Sequence, residues 1–118
     1  MTSNKVIFLD IDGCIIKHDG RGACIQWQLA TTLLRGVHDA FDAWEKAGHY
    51  IVLTTSRKEC CRKDLETLLR KYGLFWDQLV MGLPHGERIL INDKKENAEP
   101  ACRAIELVRN EGLTSINL

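Results

Sequence analysis

Val6-Ile7-Phe8-Leu9-Asp10-Ile11-Asp12-Gly13 opens with four apolar residues and closes on two acids and a glycine. A continuous apolar run of strand formers predicts a short strand buried on both faces, as in a parallel sheet. Side chains along a strand repeat every two residues, so Asp10 and Asp12 project to the same side while the chain stays extended. Two carboxylates that close repel each other and are best accommodated by a bound cation. Hard oxygen ligands with room for water favour magnesium. Gly13 permits the sharp turn that takes the chain away from the strand.

Outward from this stretch, strands and helices alternate. Val37, Ala40, Phe41, Trp44 and Ala47 keep helical spacing, and Gly48 stands where a helix ends. Tyr50-Ile51-Val52-Leu53 predicts a second buried strand, running into Thr54-Thr55-Ser56-Arg57. Cys61, Leu65, Leu68, Leu69 and Tyr72 mark a second amphipathic helix, stopped by Gly73. Leu79-Val80-Met81 predicts a third strand, and Gly82-Leu83-Pro84-His85-Gly86 a loop. Arg88-Ile89-Leu90-Ile91 predicts a fourth strand closing on Asn92-Asp93, followed by a helix from about Glu99 to Asn110. Ser115-Ile116-Asn117-Leu118 is a candidate last strand. Between Cys14 and Gln28 the pattern is irregular, and Ile15-Ile16 with Ala23-Cys24-Ile25 suggest a hairpin flap across Asp19-Gly20 and Arg21-Gly22. The fold class is α/β, Rossmann-like, a three-layer sandwich around a mostly parallel sheet.

Composition narrows the function classes. The chain has 118 residues, enough for one domain over residues 1–118, and 45% of them are hydrophobic, enough for a core. Sixteen basic residues balance sixteen acidic ones, which excludes nucleic-acid binding by bulk positive charge. No apolar run approaches the roughly 20 residues of a bilayer span. The first residues lead straight into a strand without a signal-peptide pattern, so a soluble cytoplasmic protein is expected. Five cysteines cannot all pair within one chain, and no C-x-x-C spacing suggests zinc, so free packing thiols are expected. His18, His38, His49 and His85 share no metal-binding spacing.

Polar residues gather where three of these strands end: Asp10 and Asp12, then Thr55, Ser56 and Arg57, then Asn92 and Asp93. In open α/β sheets that edge binds ligands. The Thr55 hydroxyl and nearby backbone N–H groups suit phosphate oxygens. Phe8-Leu9-Asp10-Ile11-Asp12-Gly13 resembles the first motif of the haloacid dehalogenase superfamily, a hydrophobic strand followed by D-x-D-G. Ile51-Val52-Leu53-Thr54-Thr55-Ser56-Arg57 resembles its second motif, and Leu90-Ile91-Asn92-Asp93 its acidic fourth. The three motifs stand in the right order over nearly the whole chain. The span between the first two is too short for a large cap. The chain thus looks like a minimal, cap-poor member, similar to small phosphatase-like proteins of surface-polysaccharide sugar pathways.

The resemblance implies an Mg²⁺-dependent phosphatase acting on a small phosphorylated metabolite, a sugar or sugar-acid phosphate, through an aspartyl-phosphate. Asp10 is the implied nucleophile, and Asp12 the implied acid and then base. Asp10, Asp12 and a fourth-motif side chain, Asn92 or Asp93, are the implied metal ligands. Thr55, Ser56 and Arg57 are the implied phosphate-binding residues. Two positions depart from the pattern. Gly82-Leu83-Pro84 lacks the lysine of a frequent Lys-Pro pair, leaving Lys94, Lys95 or Lys58 as substitutes, with Lys95 favoured. Asn92 stands where an acid is common, which removes one charge from the metal set. A domain that binds a phosphorylated ligand without turnover is the alternative. A phospho-accepting receiver fits less well, because its acceptor ends a middle strand and Thr54-Thr55 holds that place. Asp-x-Asp-Gly is also an ordinary turn opening, and Thr55 an ordinary helix cap. With so short a span for a cap, cover comes from the Cys14–Gln28 segment or from a second subunit of a homo-oligomer.

Overall fold

Three of the four expected inner strands form: β1 (Val6–Asp10), β2 (Tyr50–Thr54) and β3 (Gln78–Val80). The structure, a computed structural model, describes residues 4–18, 32–96 and 99–118. Helix α1 (Val37–Ala47) joins β1 to β2, and α2 (Arg62–Lys71), entered through a 3₁₀ turn at Glu59–Cys61, joins β2 to β3. Parallel neighbours need such crossovers, and the sheet is parallel throughout in the order β1-β2-β3. This is the α/β, Rossmann-like fold that the alternating pattern indicates. No described helix is long and apolar enough to cross a membrane.

Register decides where the site lies. Asp10 pairs with Thr54, and Thr54 with Val80, so all three strands finish on one edge. Side-chain clasps fix that register. The Ile51 N–H donates to Asp77 Oδ2 at 2.8 Å, while the Asp77 N–H returns to the Ile51 carbonyl at 2.8 Å. The Lys5 N–H donates to His49 Nδ1 at 3.0 Å, ahead of β1.

The core follows the apolar periodicity. α1 buries Val37, Phe41 and Trp44, and α2 buries Leu65 and Leu69, against Leu9, Ile11, Ile51, Leu53 and Leu79. Phe41 meets Phe75 edge-on with ring centres 5.8 Å apart. β2 is buried along Ile51, Val52 and Leu53, as a central strand should be. β1 differs from expectation. Leu9 is buried but Val6 and Phe8 are exposed, so one of its faces is open.

Three further expectations fail, each for want of a partner to pack or pair with. Residues 88–91 form no strand, and Ile89, Leu90 and Ile91 are exposed. An apolar run sets strand propensity, but a strand exists only when paired, and among the described residues these have no ladder partner. Residues 99–108 form no helix; Leu107 packs on the core whereas Ile105 and Val108 face solvent. A helix of that length is marginal in water without an apolar seat. Each exposed isoleucine forgoes about 1.5–3 kcal/mol of burial. Residues 115–118 also form no strand, although Ile116 and Leu118 pack against the core. The expected hairpin flap and any small cap fall mostly on residues 19–31, outside the described residues. The residues on either side are described: the Lys17 N–H donates to the Thr32 carbonyl at 2.9 Å, and the Leu34 N–H to the Ile15 carbonyl at 2.8 Å.

The tail docks just beyond them. Leu113 is buried, and its N–H donates to the Arg35 carbonyl at 2.8 Å. Gly112 has φ +86° and lies so close that a Cβ there would overlap the Arg35 carbonyl oxygen. Gly112→Ala is therefore expected to lower stability by about 1–3 kcal/mol through overpacking, beyond the backbone strain. Urea denaturation checks this, and an unchanged midpoint would show that the tail does not dock here.

Candidate active site

The site begins where β1 ends. The Ile11 N–H still reaches the Thr54 carbonyl at 3.2 Å, so the chain stays beside β2 for one residue beyond the strand. It then folds into a tight turn. The Ile11 carbonyl receives the N–H groups of Cys14, Ile15 and Ile16, and the Gly13 N–H donates to the Ile16 carbonyl at 2.7 Å. Gly13, at φ +93°, supplies a conformation that other residues rarely adopt. Buried Ile11, Ile15 and Ile16 anchor the turn from beneath.

Three polar side chains meet below this turn. Arg57 grips Asp12 with two hydrogen bonds, Nη2 to Oδ1 at 2.7 Å and Nε to Oδ2 at 3.1 Å. Such a bidentate fork is the strong form of a charge-assisted contact. The Thr55 hydroxyl accepts the Arg57 N–H at 3.0 Å and donates to Asp12 Oδ2 at 3.4 Å. Thr55 is 1% exposed and Arg57 0%. Arg57 Nη1 is buried with no hydrogen-bond partner among the described residues. The loop carrying them is braced by the chain after β3: the Leu83 N–H donates to the Thr55 carbonyl at 3.1 Å and the Gly82 N–H to that of Arg57 at 2.7 Å.

Asp10 sits at the open side of this group. Loss of solvent around its carboxyl, and then the Asp12 carboxylate, push its pKa above the usual carboxylate value. The Ile11 N–H, Arg88 and His18 pull partly the other way. Nearby Cys14 has its thiol pushed up to about 11 by burial and by both carboxylates. At pH 8 about one such thiol in a thousand is ionised, so alkylation of Cys14 should lag well behind exposed Cys60 and Cys102. Peptide mass spectrometry after brief iodoacetamide treatment reads this order, and equal labelling would contradict the environment described.

The structure brings together Asp10, Asp12, Thr55 and Arg57, but in different relations from those expected. Arg57 is turned to Asp12 inside the protein rather than presented to an incoming phosphate. Ser56 is half-buried on the same loop. Asn92 and Asp93 are exposed, and the Asp93 carboxylate takes Lys95 Nζ at 3.3 Å. Among the described residues no three His, Cys, Asp or Glu form a group that would hold a metal, so Asp93 does not complete a triad with Asp10 and Asp12. The unpaired 88–91 segment accounts for this: without a fourth strand beside the sheet, nothing delivers its last residues to the shared edge. Lys94 and Lys58 are exposed as well.

Two residues escaped the sequence reading. Arg88 was assigned to a strand, yet its charge acts on Asp10 while Nη1 donates to the Pro84 carbonyl at 2.9 Å. Its signal is a cation two residues after the Gly82–Gly86 loop, next to Glu87. Asn110 was assigned to a helix end, yet it reaches the Gly13–His18 turn. Its signal is the Asn110-Glu111-Gly112 spacing of two residues that tolerate positive φ.

No protein-family model matches the chain, and no curated protein matches it. Solved structures do. A chain of the Pnkp1/Rnl/Hen1 complex superposes with TM-score 0.56 at 26% identity, covering 66% of this chain and 27% of that one. A second structure of that RNA repair complex gives 0.55 at 26%, with 66% and 25% covered. The D,D-heptose 1.7-bisphosphate phosphatase from B. bronchiseptica, complexed with magnesium and phosphate, gives 0.50 at 21%, with 84% and 55% covered. The α/β fold is thus one that this chain shares with a phosphatase. The chain spans about a quarter of the length of the first two and little over half of the third.

Proposed function

We propose that the protein is a phosphatase of the haloacid dehalogenase type, hydrolysing a small phosphorylated metabolite, a sugar or sugar-acid phosphate, with Mg²⁺. The observation that carries the reading is the Asp10/Asp12 pair at the carboxyl edge of a parallel sheet, one carboxylate open and the other held beside Thr55. Asp10 is the less encumbered oxygen nucleophile. Its attack on phosphorus expels the alcohol and leaves an acyl phosphate on its own carboxyl, whose P–O bond water then cleaves. Asp12 hands a proton to the departing oxygen and takes one from the attacking water.

The donor set suits Mg²⁺, which is commonly held by one or two carboxylates, waters and substrate phosphate rather than by an all-protein cage. The repulsion that raises Asp10 is the kind a cation relieves. Asp10 and the Asp12 backbone carbonyl would hold it, with Asn92 or Asp93 supplying a further ligand where that segment reaches the edge. When bound, the ion neutralises charge between nucleophile and phosphate. Arg88 offers positive charge on the same side. The heptose bisphosphate phosphatase, solved with magnesium and phosphate, supports this cofactor.

A second reading has its own observation. Asp12 is occupied by buried Arg57, and Asp93 stands apart, an arrangement compatible with binding a phosphorylated ligand without turnover. Phosphate release from an aryl phosphate and a panel of sugar phosphates separates the two. The phosphatase reading expects turnover with Mg²⁺ that stops with EDTA. Binding of a sugar phosphate by calorimetry with no phosphate released supports the second reading instead.

A further inference from the structure

Asn110 makes three hydrogen bonds to the site-bearing turn. Its N–H donates to the Gly13 carbonyl at 2.9 Å. Its Oδ1 accepts the His18 N–H at 2.6 Å, and its Nδ2 donates to the His18 carbonyl at 2.8 Å. One residue thus closes both ends of the Gly13–His18 segment from a position 92 residues along the chain. Asn110 has φ +67°, and among the described residues it is the one non-glycine residue with positive φ. Asparagine visits that region at modest cost, and here the conformation aims backbone and side chain at the same turn. The approach is close: a Cβ on Gly13 would touch the stem of Arg109 at 3.4 Å. The tail is itself fixed at Arg35, so the clasp joins the turn to the start of α1.

We infer that Asn110 is a positioning residue, whose three hydrogen bonds hold the Gly13–His18 turn in the shape that sets Asp10 and Asp12 for phosphoryl transfer. This deepens the phosphatase reading and rests on it. The turn starts immediately after Asp12. A slack turn displaces the acid from the leaving oxygen, and small misplacements of reacting groups reduce rate rather than binding.

Two variants separate clasp from fold. Asn110→Gly keeps the backbone bond to Gly13 and the positive φ, and removes both side-chain bonds. Asn110→Asp keeps an acceptor for the His18 N–H and loses the donor. Amide hydrogen exchange at His18 reads the clasp whether or not the protein is active. Asn110→Gly should exchange at His18 about tenfold faster or more, and Asn110→Asp should fall between it and wild type, because it keeps the acceptor but sets a carboxylate oxygen against the His18 carbonyl. With Mg²⁺ and an aryl phosphate, Asn110→Gly should lose about tenfold or more in kcat with KM within about twofold, and Asn110→Asp should lose less. Unchanged His18 exchange in Asn110→Gly overturns the clasp. Faster exchange with unchanged kcat overturns the positioning role. A loss confined to KM does so too. Should Asn110→Gly fail to fold, His18 exchange and kcat of Asn110→Asp against wild type decide, and faster exchange with a wild-type kcat overturns the role. A wild-type protein that releases no phosphate refutes the phosphatase reading and with it the positioning role, while exchange still reports whether the clasp exists.

Discussion

Asp10→Asn is expected to stop phosphate release while leaving the protein at least as stable as wild type. An amide nitrogen and a neutral carbonyl cannot replace the attacking carboxylate, and losing the nucleophile should cost on the order of 10⁴ or more in kcat. Stability moves the other way. The folded protein raises the Asp10 pKa through lost solvent and the Asp12 charge, so its ionised form is disfavoured in the native state. A carboxyl shifted upward supports folding at pH below its unfolded value, and that support is lost as pH climbs through the folded value. At neutral pH the charge is therefore a burden that asparagine removes. Thermal unfolding in metal-free buffer beside a phosphate-release assay tests both halves. Wild-type turnover in Asp10→Asn would end the nucleophile assignment, and a large drop in Tm would contradict the electrostatics.

Breaking the Arg57–Asp12 pair should produce the largest loss of stability. Arg57 is fully buried and the Asp12 side chain is 15% exposed, so neither charge has ready access to water once its partner is gone. Removing one member of a buried pair typically costs about 3–5 kcal/mol. Arg57→Met keeps length and apolar volume but abandons the Asp12 carboxylate, and Asp12→Asn abandons the guanidinium. The double variant should recover part of the loss, because it leaves no orphaned charge. Urea denaturation of the two single variants and the double completes the cycle. Single variants within about 0.5 kcal/mol of wild type would show that the fork contributes nothing to folding. Arg57→Lys should not rescue, since a point charge on a flexible stem cannot reproduce the two-toothed grip.

The sheet was legible because its signals are local. Val6–Leu9 and Tyr50–Leu53 are unbroken apolar runs, and Gly48 and Gly73 end the two helices where the periodicity stops. Asp10 and Thr55 were legible as strand-end residues, since parallel register alone brings the ends of β1 and β2 together. What escaped depended on long-range partners. Ile89-Leu90-Ile91 has strand composition, but composition does not say whether an edge accepts it. Leu107 found the core whereas Val108 did not, a distinction that helical spacing cannot make without knowing the seat. The resemblance implies phosphate binding for Arg57, and only the fold reveals that it turns inward to Asp12. Asn110 meets His18 across nearly the whole chain, so no local pattern announces the contact.

The order β1-β2-β3 leaves the outer backbone of β1 without a neighbour among the described residues, with Phe8 61% exposed along it. Such a rim is a template on which another extended segment adds main-chain hydrogen bonds. The exposed run Ile89-Leu90-Ile91 is chemically the sort of segment that takes this offer, whether from its own chain or from a neighbouring molecule. Equal numbers of acidic and basic residues give no net repulsion at pH 7 to keep molecules apart. The open rim of β1 is therefore where added strand pairing would lengthen the sheet, within one molecule or between two, and a charge introduced along it would be the simplest guard against the second.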